Sequence, residues 1–250
     1  MPSTKVTNPY EFYISKNTSV SAEISIIMLN VTINQLAHEL ITVTAGGKNY
    51  TSSFTIPYGT TYTATIKADE GYTAGTVTPT SGTFTTDTTF TATAATINSY
   101  TVTITPGAHQ TITVTNVTTG KSYTSTFTAN YGDKLTATIT ADPGYTASTL
   151  NQTSATVGTS GATFSATAAT VNRYSVVITQ TANQTIKVND GNTDHTATFS
   201  IPYDTELTCS ITPATGYTAS RLSVTGATLD SSNKFRMPAK NVTVTATANA

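Results

Sequence analysis

The sequence predicts an all-β chain: three tandem antiparallel β-sandwich modules preceded by an extended N-terminal arm. Three observations carry that prediction. One set of motifs returns three times in the same order, apolar residues fall at every second position between the motifs, and about a quarter of the 250 residues are threonine. Threonine is β-branched and favours strands, while its hydroxyl tolerates water. With only 10% charged residues, such a chain reads as many strands with one solvated face. A disordered Ser/Thr stalk would carry clustered proline and no apolar alternation; here the nine prolines are few and scattered.

The arm, residues 1–26, has no counterpart elsewhere in the chain. It carries an aromatic cluster, Tyr10, Phe12 and Tyr13, followed by Ile14. These groups cannot be buried by the arm alone and must pack on the first module or on a partner, so Tyr10, Phe12, Tyr13 and Ile14 are the candidate docking residues. The start of the chain, Met1-Pro2-Ser3-Thr4-Lys5, lacks the basic start and apolar run of a signal peptide. The apolar stretch at residues 24–31 is far shorter than the roughly 20 residues of a membrane span. Synthesis in a cytoplasm, without classical export or membrane insertion, is the expectation.

The modules are predicted at residues 27–97, 98–172 and 173–250. Phe54-Thr55-Ile56-Pro57-Tyr58-Gly59 returns as Phe127-Thr128-Ala129-Asn130-Tyr131-Gly132 and as Phe199-Ser200-Ile201-Pro202-Tyr203-Asp204, with separations of about 73 and about 72 residues. That period is a whole small β domain. Gly-Tyr-Thr-Ala recurs from Gly71, Gly144 and Gly216 with the same spacings. Between these motifs Val31-Thr32-Ile33 matches Val102-Thr103-Ile104 and Val176-Val177-Ile178, and Ile41-Thr42-Val43 matches Ile112-Thr113-Val114 and Ile186-Lys187-Val188. The outer residues are apolar and the middle one is usually polar, the period of a strand with one buried face. Tyr62, Ala64 and Ile66 become Leu135, Ala137 and Ile139, then Leu207, Cys209 and Ile211. Phe90, Ala92 and Ala94 match Phe164, Ala166 and Ala168, then Val244, Ala246 and Ala248; the small alanines suggest close approach of sheet to sheet. Short strands at close spacing, with no helical periodicity, favour an immunoglobulin-like sandwich in each module. The joints near Ile97-Asn98-Ser99 and Val171-Asn172-Arg173 lack Gly and Pro, which should limit bending.

Chemistry-bearing residues are sparse. A net charge of −1 excludes a broad electrostatic footprint for nucleic acid or an anionic membrane. The single cysteine, Cys209, forms no intrachain disulfide and aligns with inward-facing Ala64 and Ala137, so it reads as a core residue. His38 and His109 hold equivalent places before the Ile-x-Val strand, filled by Asn183 in the third copy; they read as turn residues, and none sits at metal-ligand spacing. His195 stands isolated in a polar run. Acidic residues precede Gly71 and Gly144 but not Gly216, a pattern that turn formation explains better than calcium. Tyr72, Tyr145 and Tyr217 are expected to pack inward, in the manner of the tyrosine corner of immunoglobulin-like sandwiches. Tyr58, Tyr131 and Tyr203, at the Pro-Tyr-Gly turn, are expected to be more exposed and are the candidate surface contacts. No catalytic residues, metal site or cofactor site stand out, and the chain is expected not to be an enzyme.

The run Phe199-Ser-Ile-Pro-Tyr, then Gly216-Tyr217, then Phe235-Arg236-Met237-Pro238-Ala239-Lys240-Asn241-Val242-Thr243-Val244-Thr245-Ala246 resembles the divergent bacterial and phage immunoglobulin-like surface repeats of the InlB B-repeat type. The first two copies keep the front motifs but lack the Met-Pro-Ala segment. The resemblance, over residues 27–250, leaves room for a sandwich or a smaller β-grasp-like form; the lack of a helix favours the sandwich. It implies a setting in secreted bacterial proteins or in virion proteins of tailed phages. Without a visible export signal, the expectation is a capsid decoration or head-fibre protein, made in the bacterial host cytoplasm and displayed on the virion surface. Its partners would be capsid or other virion proteins and possible host-surface glycans. A bacterial cell-surface adhesin is the alternative.

Overall fold

The structure, a computed structural model, describes residues 24–247. By their contacts the described residues form two compact units. One comprises the residues through Asp69 together with Ala74–Ala95; the other comprises Glu70–Thr73 and the chain from Thr96 onward. The fold is all-β, and no helix of the described residues is long and apolar enough to cross a membrane.

The first unit is one sandwich of two four-stranded sheets. One sheet orders Phe54–Pro57, Met28–Ile33, Thr88–Ala92 and Val77–Thr78; the other orders Lys48–Tyr50, Glu39–Ala45, Thr61–Ala68 and Ser81–Thr83. Period-two patterning sets the faces. Leu29, Val31 and Ile33 are buried while Met28, Asn30 and Thr32 are exposed, and Ile41 and Val43 have no exposed surface at all. Phe84 and Phe90, also fully buried, fill the space between the sheets. Tyr62 packs on both, with ring centroids 4.4 and 5.2 Å away. Burying a phenylalanine of this kind contributes about 1.5–3 kcal/mol.

The second unit repeats the arrangement twice, with separate cores around Phe164 and around Val244 and Met237. In the first of these, Phe127–Asn130, Ser99–Thr105 and Ala162–Ser165 face Lys121–Tyr123, Gln110–Asn116, Lys134–Ala141 and Ser154–Thr156. In the second, Phe199–Pro202, Arg173–Ile178, Val242–Ala246 and Leu222–Thr225 face Asp194–His195, Gln184–Asn189, Glu206–Pro213 and Lys234–Arg236. Equivalent cross-strand pairs keep one register in all three copies: Val43 opposite Ala64, Val114 opposite Ala137, and Val188 opposite Cys209.

Two features depart from the sequence expectation. The sandwiches are not wholly antiparallel: the opening strand of each copy runs parallel to the closing one, pairing Ile33 with Phe90, Ile104 with Phe164, and Ile178 with Val244. Strand direction is invisible to a period-two pattern, which fixes only the buried face. The alanine run also stops facing inward earlier than expected. Ala92 and Ala166 pack on their cores, but Ala94 and Ala168 are exposed, because the regular strands end at Ala92 and Ser165 and the chain leaves the sheet there.

Candidate functional site

The best-defined side-chain constellation lies in the second unit and is built from the repeated motifs themselves. Tyr72–Thr73 pairs with the linker strand Thr96–Ile97, and Tyr145–Thr146 pairs with Thr170–Val171. Each two-residue ribbon is fixed by the asparagine that follows it. The Asn98 N–H donates to the Gly71 carbonyl (2.9 Å), its carbonyl accepts from the Tyr131 N–H (2.9 Å), and its Oδ1 accepts from the Thr73 hydroxyl (2.7 Å). Asn172 does the same with Gly144, Tyr203 and Thr146. An asparagine supplies both the backbone groups and an extra acceptor, which accounts for its place in both linkers.

These bonds set a tyrosine ring flat against a glycine. A Cβ on Gly71 would stand 2.1 Å from the ring of Tyr131, and one on Gly144 would stand 2.2 Å from that of Tyr203. Both glycines also have left-handed backbones, with φ of +80° and +84°, so sterics and backbone both demand the missing side chain. Around the seats, Tyr72 and Tyr100 meet Tyr131 edge-on with centroids 6.4 Å away, and Tyr145 meets Tyr203 at 5.7 Å. His109 stacks on Tyr145 at 4.0 Å.

This arrangement revises two expectations. Tyr72 and Tyr145 do not pack into a sandwich core as a tyrosine corner would; the ribbon holds them, half-buried, beside the linker. The exposure expected at the Pro-Tyr-Gly turn applies to Tyr58, at 55%, whereas Tyr131 and Tyr203 are half-buried on their glycines.

The titratable residues sit in structural places. Cys209 is 2% exposed, and burial pushes its thiol up to about 11, the opposite of a reactive thiolate. His38, His109 and Asn183 all adopt left-handed turns, with φ of +64°, +61° and +61°. The Nδ1 atoms of His38 and His109 lie 3.5 and 3.8 Å from the exposed carboxylates of Asp69 and Asp142. His195 is not isolated. It stacks on Phe199 at 3.8 Å and its Nε2 lies 3.0 Å from Asp190. Tyr50 stacks on Phe54, and Tyr123 on Phe127, in the same way; the four-residue spacing to the phenylalanine was the overlooked clue. The His195 contact, with N–H bonds from Thr193 and Asn192, draws the Asp190 carboxyl down to about 2. Among the described residues no cluster of three or more His, Cys, Asp or Glu could hold a metal ion.

Tyr10, Phe12, Tyr13 and Ile14 lie outside the described residues. At the start of the first module an apolar run is uncovered: Ile24 is 92% exposed, Ile26 69%, Ile27 59% and Met28 50%.

No protein-family model matches the chain, and no curated protein matches it. Among solved structures, the Bacillus anthracis TIE protein is similar in fold, with a TM-score of 0.49 and 15% identity, over 90% of this chain and 51% of that one. The chain thus spans about half the length of that structure.

Proposed function

We propose that this chain is a non-enzymatic structural protein of a tailed-bacteriophage particle, a capsid decoration or head-fibre protein. Its N-terminal arm docks on capsid or other virion proteins, and its immunoglobulin-like modules are displayed for contact with the host surface or its glycans. The observation that carries this reading is the uncovered apolar run led by Ile24, in a unit whose own core is already closed. Isolated apolar side chains on a surface are ordinary, but a contiguous run calls for a covering surface. Tyr10, Phe12, Tyr13 and Ile14 extend the same apolar character into the arm, and an extended arm can add a strand to an exposed sheet edge. The solvated threonine faces suit weak contacts, which many copies on one particle multiply into avidity. The site of action is the virion surface, after synthesis in the host cytoplasm.

The test compares the full chain with a chain lacking the arm, residues 1–26. An antibody against the modules is expected to label purified particles, and the shortened chain is expected to fold but fail to sediment with them. Labelling of intact bacterial cells and not of particles would replace this reading with that of a surface adhesin. Sedimentation of the shortened chain with particles would remove the arm from the docking role.

A further inference from the structure

The tyrosine-on-glycine joint occurs twice within the second unit, and its two halves are each left over once elsewhere in the chain. The third copy of the seat is Gly216-Tyr217. Gly216 has the same left-handed backbone as Gly71 and Gly144, with φ of +89°. Yet where a Cβ would be added to Gly216 nothing lies within 4 Å, and Gly216 is exposed where Gly71 and Gly144 are buried. Tyr217 is 41% exposed. The first copy of the inserted ring is Tyr58, which is 55% exposed.

The Tyr58 half is already shaped. The Tyr58 N–H donates to the Ile27 carbonyl at 2.8 Å, the bond that Tyr131 makes to Asn98 and Tyr203 to Asn172, each at 2.9 Å. By the same alignment Ile26 corresponds to Ile97 and Val171, the residues that face Tyr72 and Tyr145 in the two ribbons. Ile26 and Ile27 are both more than half exposed.

We propose that the chain associates with a second copy of itself through this joint: Tyr58 of one copy seats on Gly216 of the other. Ile26 then lies opposite Tyr217, and the Ile27 N–H donates to the Gly216 carbonyl, as the Asn98 N–H does to Gly71. The occupant is a second copy because this sequence already forms the same interface twice with the same motifs. Each copy carries both halves, Tyr58 in the first unit and Gly216 in the second, so the contact is heterologous and can continue from copy to copy. The internal joints are tethered, and a short tether supplies an effective concentration in the millimolar range. The joint between copies has no tether and has isoleucine in place of asparagine at its centre, so it is weaker and depends on concentration. The joint shares Ile26 and Ile27 with the apolar run of the particle reading, but Tyr58 and Gly216 lie outside that run, so their variants test self-association apart from particle binding.

Sedimentation equilibrium on the full chain tests it, at concentrations up to about 1 mM. The average mass is expected to rise with concentration. Tyr58→Ser and Gly216→Ala should each lower the association constant at least tenfold, with circular dichroism unchanged. Tyr217→Ser is the second variant on the seat side, should Gly216→Ala disturb its turn. Each single variant retains one intact half, so a mixture of Tyr58→Ser with a seat variant should give dimers that grow no further. A wild-type chain that stays monomeric throughout overturns the proposal and leaves the seat to a different partner. Association that survives both the Tyr58 and the seat substitutions overturns it equally, by placing the contact elsewhere.

Discussion

The ring of Tyr203 covers Gly144 so closely that a Cβ on the glycine would stand 2.2 Å from the nearest ring carbon. No residue with a Cβ fits beneath that ring without moving it. The φ of +84° at Gly144 adds a backbone demand of its own.

The two demands can be separated by mutation. Gly132 has a φ of +80° but open space where its Cβ would go. Gly132→Ala should therefore cost only the left-handed backbone penalty of about 1–2 kcal/mol. Gly144→Ala should cost that and a further 1–3 kcal/mol or so for displacing the ring. Urea unfolding of the two variants reads the difference; equal losses would mean that the Tyr203 contact contributes nothing.

Glu39 offers a stabilising substitution. It is buried, its Oε2 accepts the Gly75 N–H at 2.9 Å, and its Oε1 has no hydrogen-bond partner. The equivalent residues are Gln110 and Gln184, whose amide nitrogens donate to the carbonyls of Thr167 and Thr247. Glutamine at position 39 would supply the same donor in place of an unpaired buried oxygen, whose burial is costly. Glu39→Gln should raise the stability of the first unit by about 1 kcal/mol. A midpoint that stays put or falls in thermal unfolding would show that the carboxyl is already satisfied.

Cys209 gives stability a pH dependence at the alkaline end. Burial raises its thiol from 9.0 to about 11. The unfolded chain therefore loses this proton at lower pH than the folded chain does. The contribution is intact below about 9 and is lost as pH rises toward 11. Cys209→Ala, which copies Ala64 and Ala137, should remove that slope while other groups keep theirs. Thiol reagents at pH 8 should modify the native protein at least about a thousandfold more slowly than the unfolded chain, since access requires opening. Rapid native labelling would contradict the burial.

Asp190 acts in the opposite pH range. Its folded-state value is lowered from 3.8 to about 2, first by the His195 hydrogen bond and then by the N–H groups of Thr193 and Asn192. A depressed carboxyl contributes stability that is present above about 4 and disappears as pH falls toward 2. Carbon-13 detection of the Asp190 carboxyl should show a midpoint near 2; a midpoint close to 4 would mean that the His195 contact is not formed in solution.

Much of the fold was legible because burial in a strand has a period of two. Val31, Ile41, Ile112, Phe164 and Val188 fell on the buried face as their alternation required, and Cys209 was placed in the core by its alignment with two alanines. The His195–Phe199 stack could also have been read, from the matching spacing of Tyr50–Phe54 and Tyr123–Phe127. What alternation does not encode is which strand lies beside which, and in what direction. The parallel pairing of Ile33 with Phe90 spans most of a module, and no local pattern distinguishes it from an antiparallel one.

The sequence by itself determined three things: an all-β chain, a period of about 72 or 73 residues, and the apolar faces that close three cores. Each follows from local chemistry that repeats along the chain. Only the tertiary structure decided that Tyr131 and Tyr203 cover glycines 60 and 59 positions earlier, at Gly71 and Gly144, instead of facing solvent. A glycine in a turn looks the same in sequence whether it serves its backbone alone or also makes room for a distant ring. Which it does depends on what the fold brings within a few ångströms of the missing side chain.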